Sequence, residues 1–151
     1  MSTHNALISW RRTTDTFTYE SYNREHTWSF GEAGVVQASA APGYQGLPTH
    51  VDPEQAFVAS LSSCHMLTFL AVAAKRGLSV LTYTDDARGF LEKDDRGRLA
   101  MTRVELRPVV VFDPATSRGE TPDETQLARL HAAAHRGCFI ANSVRAVVTV
   151  V

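Results

Sequence analysis

Charge is missing from one long stretch of this chain. Between Glu54 and Lys75 there is no Lys, Arg, Asp or Glu. Such a run is almost long enough to cross a bilayer. Gln55, Ser60, Ser62, Ser63, His65 and Thr68 interrupt it, which points instead to a buried helix of a soluble protein. Cysteine is scarce as well, with only Cys64 and Cys138. The opening residues MSTHNALISWRRTTD have no long apolar segment behind a basic start, so no signal peptide and a cytoplasmic location are expected. In a reducing compartment two cysteines are seldom a structural disulfide and are free thiols, metal ligands or a redox pair. Excess charge is also lacking: the net charge is -1, so no nucleic acid or membrane partner is expected. There are no internal repeats and no low-complexity tract.

What is present fits one domain spanning residues 1–151, long enough for a core without staples. ALISWRR, TFTYESYN, EHTWSF and VVQASA are short, rich in β-branched and aromatic residues, and are expected as strands. A Gly/Pro-rich loop over 41–50 then feeds the uncharged segment. Asp52 suits an N-cap, Pro53 the first helical position and Gln55 the third, while Gly77 suits the residue after the helix. Apolar residues lie nearly all round this helix, and a monomer of this size can hardly cover it alone. The segment from Ser79 to Phe112 is expected as two strands joined by the turn KDDRGR. TPDE is expected to cap a second helix, with Thr121 as cap, Leu127, Leu130 and Ala134 inward, and an end near Gly137. SVRAVVTVV closes the chain as a strand, and the whole is an α+β pattern.

Cys64 or Cys138 taken singly is commonly a small hydrophobe in a core. Together, as the only two cysteines and both on helix-linked positions, they gain weight as a chemical pair. Glu54 lies ten positions before Cys64, about 15 Å along one helix, so it cannot meet the cysteine of its own chain. Two such helices packed antiparallel about a twofold axis would bring Glu54 of one chain to Cys64 of the other. The alternative is that Glu54 simply favours the helix N-terminus through the dipole. An arginine beside a thiol stabilises the thiolate, and Arg24 is a candidate with Arg11, Arg12 and Arg107 as rivals. Cys64 and His65 with His135 and Cys138 would make a Cys2His2 metal set. Adjacent helical residues diverge by about 100°, however, and the usual Cys-x-x-Cys pair is absent, so no metal is expected.

DPEQAFVASLSSCHML followed by AAHRGCFIANSVRAVVTV resembles the OsmC/Ohr family, the osmotically inducible and organic hydroperoxide resistance proteins, and its OsmC-like branch in particular. The resemblance implies an intertwined α+β homodimer, an antiparallel sheet with a long buried central helix, and composite sites at the interface. It implies a thiol-dependent peroxidase acting on organic hydroperoxides, in which Cys64 matches the peroxidatic and Cys138 the resolving cysteine. Glu54 matches the glutamate that holds an activating arginine, for which Arg24 is the best match. An external thiol reductant, dihydrolipoyl-type or a small thiol, is implied, with no metal or organic cofactor. Phe57, Leu61, Met66, Leu67 and Phe69 would supply an apolar lining suited to a hydrocarbon-bearing peroxide. The continuation FIANS after Cys138 departs from the Pro-Tyr-Ser-Asn-like run usual in Ohr proteins. Two other readings are a non-catalytic binder of an apolar ligand at the dimer interface and a thiol redox sensor.

Overall fold

The computed structural model describes residues 1–114 and 121–151. The chain forms two compact units, Met1–Ala56 and Phe57–Val151.

In the first unit three strands form an antiparallel meander: β1 (Leu7–Trp10), β2 (His26–Ser29) and β3 (Val35–Ala38). The turn between β2 and β3 uses Gly31 and Gly34 at φ of 67° and 107°, values that favour glycine. The expected strand over 16–23 is not formed. Hydroxyls of Thr16, Thr18 and Ser21 hydrogen-bond among themselves and to local backbone, which competes with a ladder. Tyr22 turns back by donating its N–H to the Thr18 carbonyl at 3.0 Å. Phe17, Tyr22 and Trp10 then cluster, with ring centroids 5.5–6.4 Å apart.

The uncharged segment forms α1 (Pro53–Lys75), which begins in the first unit and continues through the second. Asp52 caps it reciprocally with Gln55: the Gln55 N–H donates to Asp52 Oδ1 at 2.7 Å, and the Asp52 N–H to Gln55 Oε1 at 3.1 Å. At its end Gly77 takes φ 74°, and the N–H groups of Gly77 and Leu78 reach the carbonyls of Ala74 and Ala73, both at 3.0 Å. This is the Schellman arrangement, and only a residue at ease with positive φ completes it cheaply. By length and composition α1 is apolar enough to span a membrane, yet Leu61, His65, Phe69 and Ala73 form a buried stripe at i, i+4 spacing. On another face Ser63, Leu67, Ala71 and Ala74 are exposed.

The segment expected as two strands is four. β4 (Val80–Asp85) pairs antiparallel with β7 (Pro108–Phe112), and β5 (Arg88–Lys93) pairs antiparallel with β6 (Leu99–Leu106). The breaks have a shared cause. Asp85 ends β4 and accepts the Arg107 N–H at 2.6 Å just where β6 gives way to β7. Gly89 on β5 is needed because a Cβ there would overlap Val58 and Met101. The closing strand β8 (Val147–Val150) runs parallel to β6. The second helix, α2 (Glu124–Gly137), is capped by Asp123 with Gln126 rather than by Thr121 with Glu124. Its inward residues are as expected. Leu130 and Ala134 are fully buried with Phe69 and Ala73, and Leu127 packs against them. Leu61, Val104 and Leu106 form a second buried cluster.

Candidate functional site

The two cysteines, 74 positions apart in sequence, meet within the second unit. The Cys64 and Cys138 thiols are near enough to act on each other, and both are free. Cys64 comes from the middle of α1, while Cys138 is the C-cap of α2. The approach depends on Gly137, where an added Cβ would lie 3.0 Å from Thr68 Cγ2. Thr68 is held in place because its hydroxyl donates to the Cys64 carbonyl at 2.8 Å.

The environments of the two thiols differ. Cys64 is half-buried, whereas Cys138 is 1% exposed. Burial, and then the neighbouring Cys64 side chain, push the Cys138 thiol up from its ordinary pKa. The Ala141 N–H, 3.4 Å from Cys138 Sγ, works against that rise. Cys138 is therefore kept as a thiol in a dry site, and Cys64 is the one with access to solvent.

His65, next to Cys64, turns its ring to α2 and not to the thiols. Its Nε2 lies 3.1 Å from Nδ1 of His131, in a buried hydrogen bond. His131 was not singled out by the sequence, because nothing in local spacing marks a partner 66 positions away. Phe69 covers the His131 ring at 4.5 Å between centroids. Burial first, then His131 and His135, lower the His65 pKa to about 4, against Asp85, which raises it. Asp85 is also tied to α1 by the Ser62 hydroxyl at 2.5 Å. Among the described residues no group of three or more His, Cys, Asp or Glu is placed to hold a metal ion.

The five apolar candidates are not gathered into one wall. Leu61 and Phe69 are fully buried, each in a different core cluster, because the i, i+4 stripe of α1 faces inward. Phe57 packs against the Leu61 cluster, Met66 is half-buried, and Leu67 is 61% exposed.

Arg24 and Glu54 belong to the first unit. Arg24 is buried, and its guanidinium donates to the carbonyls of Tyr22 and Tyr19 while stacking 3.8 Å from the Tyr22 ring centroid. Its Nε has no partner, and among the described residues Arg24 forms no ion pair, with Glu54 or with any other carboxylate. The rival Arg107 is instead bound to Glu105 at 2.6 Å. Arg11 and Arg12 are exposed.

A family model described as OsmC-like protein matches residues 46–151. An OsmC-like protein of unknown function from Vibrio cholerae O1 biovar eltor str. N16961 is 44% identical over 100% of this chain and 99% of that one, with a TM-score of 0.92. The fold is shared with an organic hydroperoxide resistance protein from Elizabethkingia anophelis, at TM-score 0.72 and 18% identity over 99% of this chain and 96% of that one. It is shared too with the organic hydroperoxide resistance protein OhrB of Bacillus subtilis, at TM-score 0.60 and 18% identity over 99% and 95% of the two chains. No curated protein sequence matches.

Proposed function

The chain belongs to the OsmC-like protein family, and from that premise we propose that it is a cytoplasmic, thiol-dependent peroxidase that reduces organic hydroperoxides. The observation that carries the reading is the meeting of Cys64 and Cys138, one half-buried and the other dry. The Cys64 thiolate attacks the distal oxygen of ROOH. The O–O bond breaks, ROH leaves after taking a proton, and Cys64 becomes a sulfenic acid. Cys138 attacks that sulfur, water departs, and a disulfide forms. An external dithiol then reduces it by exchange and is itself oxidised. The cycle needs no metal or organic cofactor.

The roles of Arg24 and Glu54 come from the family resemblance. Arg24 stabilises the Cys64 thiolate, and Glu54 fixes the guanidinium plane. A buried guanidinium with no carboxylate partner among the described residues supports this, since such a charge calls for an anion. We assign the whole of 1–151 to one functional domain acting as a homodimer. Leu67, together with Leu81, Val109, Val147 and Phe139, leaves apolar surface uncovered in the single chain, which supports that reading. Of the apolar candidates, Phe57, Met66 and Leu67 are the ones with surface left to meet a substrate, while Leu61 and Phe69 shape the site from behind.

The test is consumption of cumene hydroperoxide and of hydrogen peroxide by purified protein with dihydrolipoamide. Multiple turnovers favouring the organic peroxide are expected. Cys64→Ser should abolish them, and Cys138→Ser should leave one oxidation per chain that fails to cycle. An inert Cys64 in the wild-type protein would sink the reading.

A further inference from the structure

The His65–His131 pair is costly where it stands. Both rings are buried, at 1% and 8% exposure, and His65 Nδ1 has no partner. An apolar pair of the same shape would avoid an orphaned buried nitrogen, so packing alone is a poor account of the two histidines. Their position suggests another. His65 adjoins Cys64 on α1, and His131 lies seven residues, or two turns, before Cys138 on the α2 side. Beyond the packing of Leu130 and Ala134 on Phe69 and Ala73, the two helices therefore meet at two polar points roughly 10 Å apart along α2, one at the thiols and one through the imidazoles. Apolar packing is non-directional, whereas a hydrogen-bonded second joint fixes the direction of α2. The nearly parallel rings, 9° apart with centroids at 5.4 Å, and the Phe69 ring against His131 hold the second joint in place.

We propose that His65 and His131 are positioning residues whose hydrogen bond across α1 and α2 holds Cys138 in line with Cys64, so that the disulfide between them forms readily. The proposal rests on the two-cysteine reading for its purpose. Its test does not, because glutathione can set the disulfide equilibrium without any peroxide. Protein dithiol and oxidised glutathione give protein disulfide and two reduced glutathiones, and the balance measures how well the thiols are placed.

The variants are His131→Phe, which keeps the ring and removes the bond, His131→Gln, which can still bond His65 Nε2, and the double variant His65→Phe/His131→Phe. The double variant leaves no imidazole unpaired and should unfold in urea no earlier than wild type. Its disulfide equilibrium constant, and that of His131→Phe, should nevertheless fall about tenfold, making the potential about 30 mV less negative. His131→Gln should recover most of the loss. Should His131→Phe fail to fold, the double and Gln variants still decide the matter. A double variant as stable as wild type with an unchanged disulfide potential overturns the proposal, as does a wild type that forms no disulfide in oxidised glutathione. Wild type that consumes no hydroperoxide yet shows the histidine-dependent potential overturns the peroxidase reading and leaves this one standing.

Discussion

Within residues 1–56 the buried functional group is a cation that has no carboxylate partner among the described residues. Within 57–151 Arg88, Arg98, Arg103 and Arg107 are each paired with one, and the buried reactive groups are thiols and imidazoles. The difference is informative because those arginines already have their carboxylates within the unit, whereas the Arg24 charge is still to be matched, in the proposed homodimer by Glu54 and the thiolate together. Arg24 is held by carbonyls and an aromatic face, which orient it without neutralising it. Such a group is suited to stabilising an anion that is present for only part of a reaction, as a thiolate is.

The most severe way to break this comparison is to remove each cation in turn. Arg24→Met should lower the second-order rate constant with an organic hydroperoxide about a hundredfold, as loss of a positive charge that stabilises the thiolate does. Arg107→Met should stay within about threefold of wild type, because that side chain serves Glu105. Rate against pH for both variants decides it. If Arg107→Met is the more damaged, the assignment of the activating charge to Arg24 fails.

Parts of this arrangement are visible in the sequence and parts are not, for physical reasons. The limits of α1 follow from Asp52, Gln55 and Gly77, since each supplies a hydrogen bond or a φ value that few residues can. The cap of α2 is ambiguous because two boxes overlap, Thr121 with Glu124 and Asp123 with Gln126, and the structure uses the second. The stretch 16–23 has strand composition, yet its hydroxyls satisfy the backbone locally. The strand breaks at 86–87 and Arg107 depend on Asp85, whose partner is 22 residues on. The cysteines are legible through rarity. His131 is not, since only the packing of α1 on α2 turns it into a partner of His65.

Acid sharpens the contrast within the second unit. The folded protein lowers the His65 pKa to about 4 from 6.5, and burial also lowers that of His131, so the folded state holds fewer protons than the unfolded chain between these values. Among the described residues, the charged groups that act on the pair are His135 on α2 and Asp85 on β4, and Tyr83 of β4 stands beside Asp85. Asp85 partly opposes the shift, and Tyr83 is itself pushed up by burial. Stability is therefore full above about pH 6.5 and is lost as pH falls towards 4, by on the order of 3 kcal/mol for His65. Urea unfolding from pH 7.5 to 4.5 should show this slope in wild type and a flatter one in His65→Phe/His131→Phe. Parallel curves would mean that the imidazoles are not held neutral.

The smallest expected effect probes the contact that lets the thiols meet. Gly137→Ala would place a methyl against Thr68 Cγ2 at 3.0 Å, and Thr68 cannot turn away without giving up its bond to the Cys64 carbonyl. In a last helical turn alanine gains up to about 1 kcal/mol over glycine by propensity, so overall stability should change little. The strain should appear instead in the thiol pair, as a roughly threefold weaker disulfide in glutathione. Thr68→Ser removes the methyl and keeps the hydroxyl, so adding it to Gly137→Ala should restore the wild-type equilibrium. If Gly137→Ala alone stabilises the fold and leaves the disulfide unchanged, the helices yield freely at this point. The separation of Cys64 and Cys138 is then set by the histidine joint rather than by the glycine.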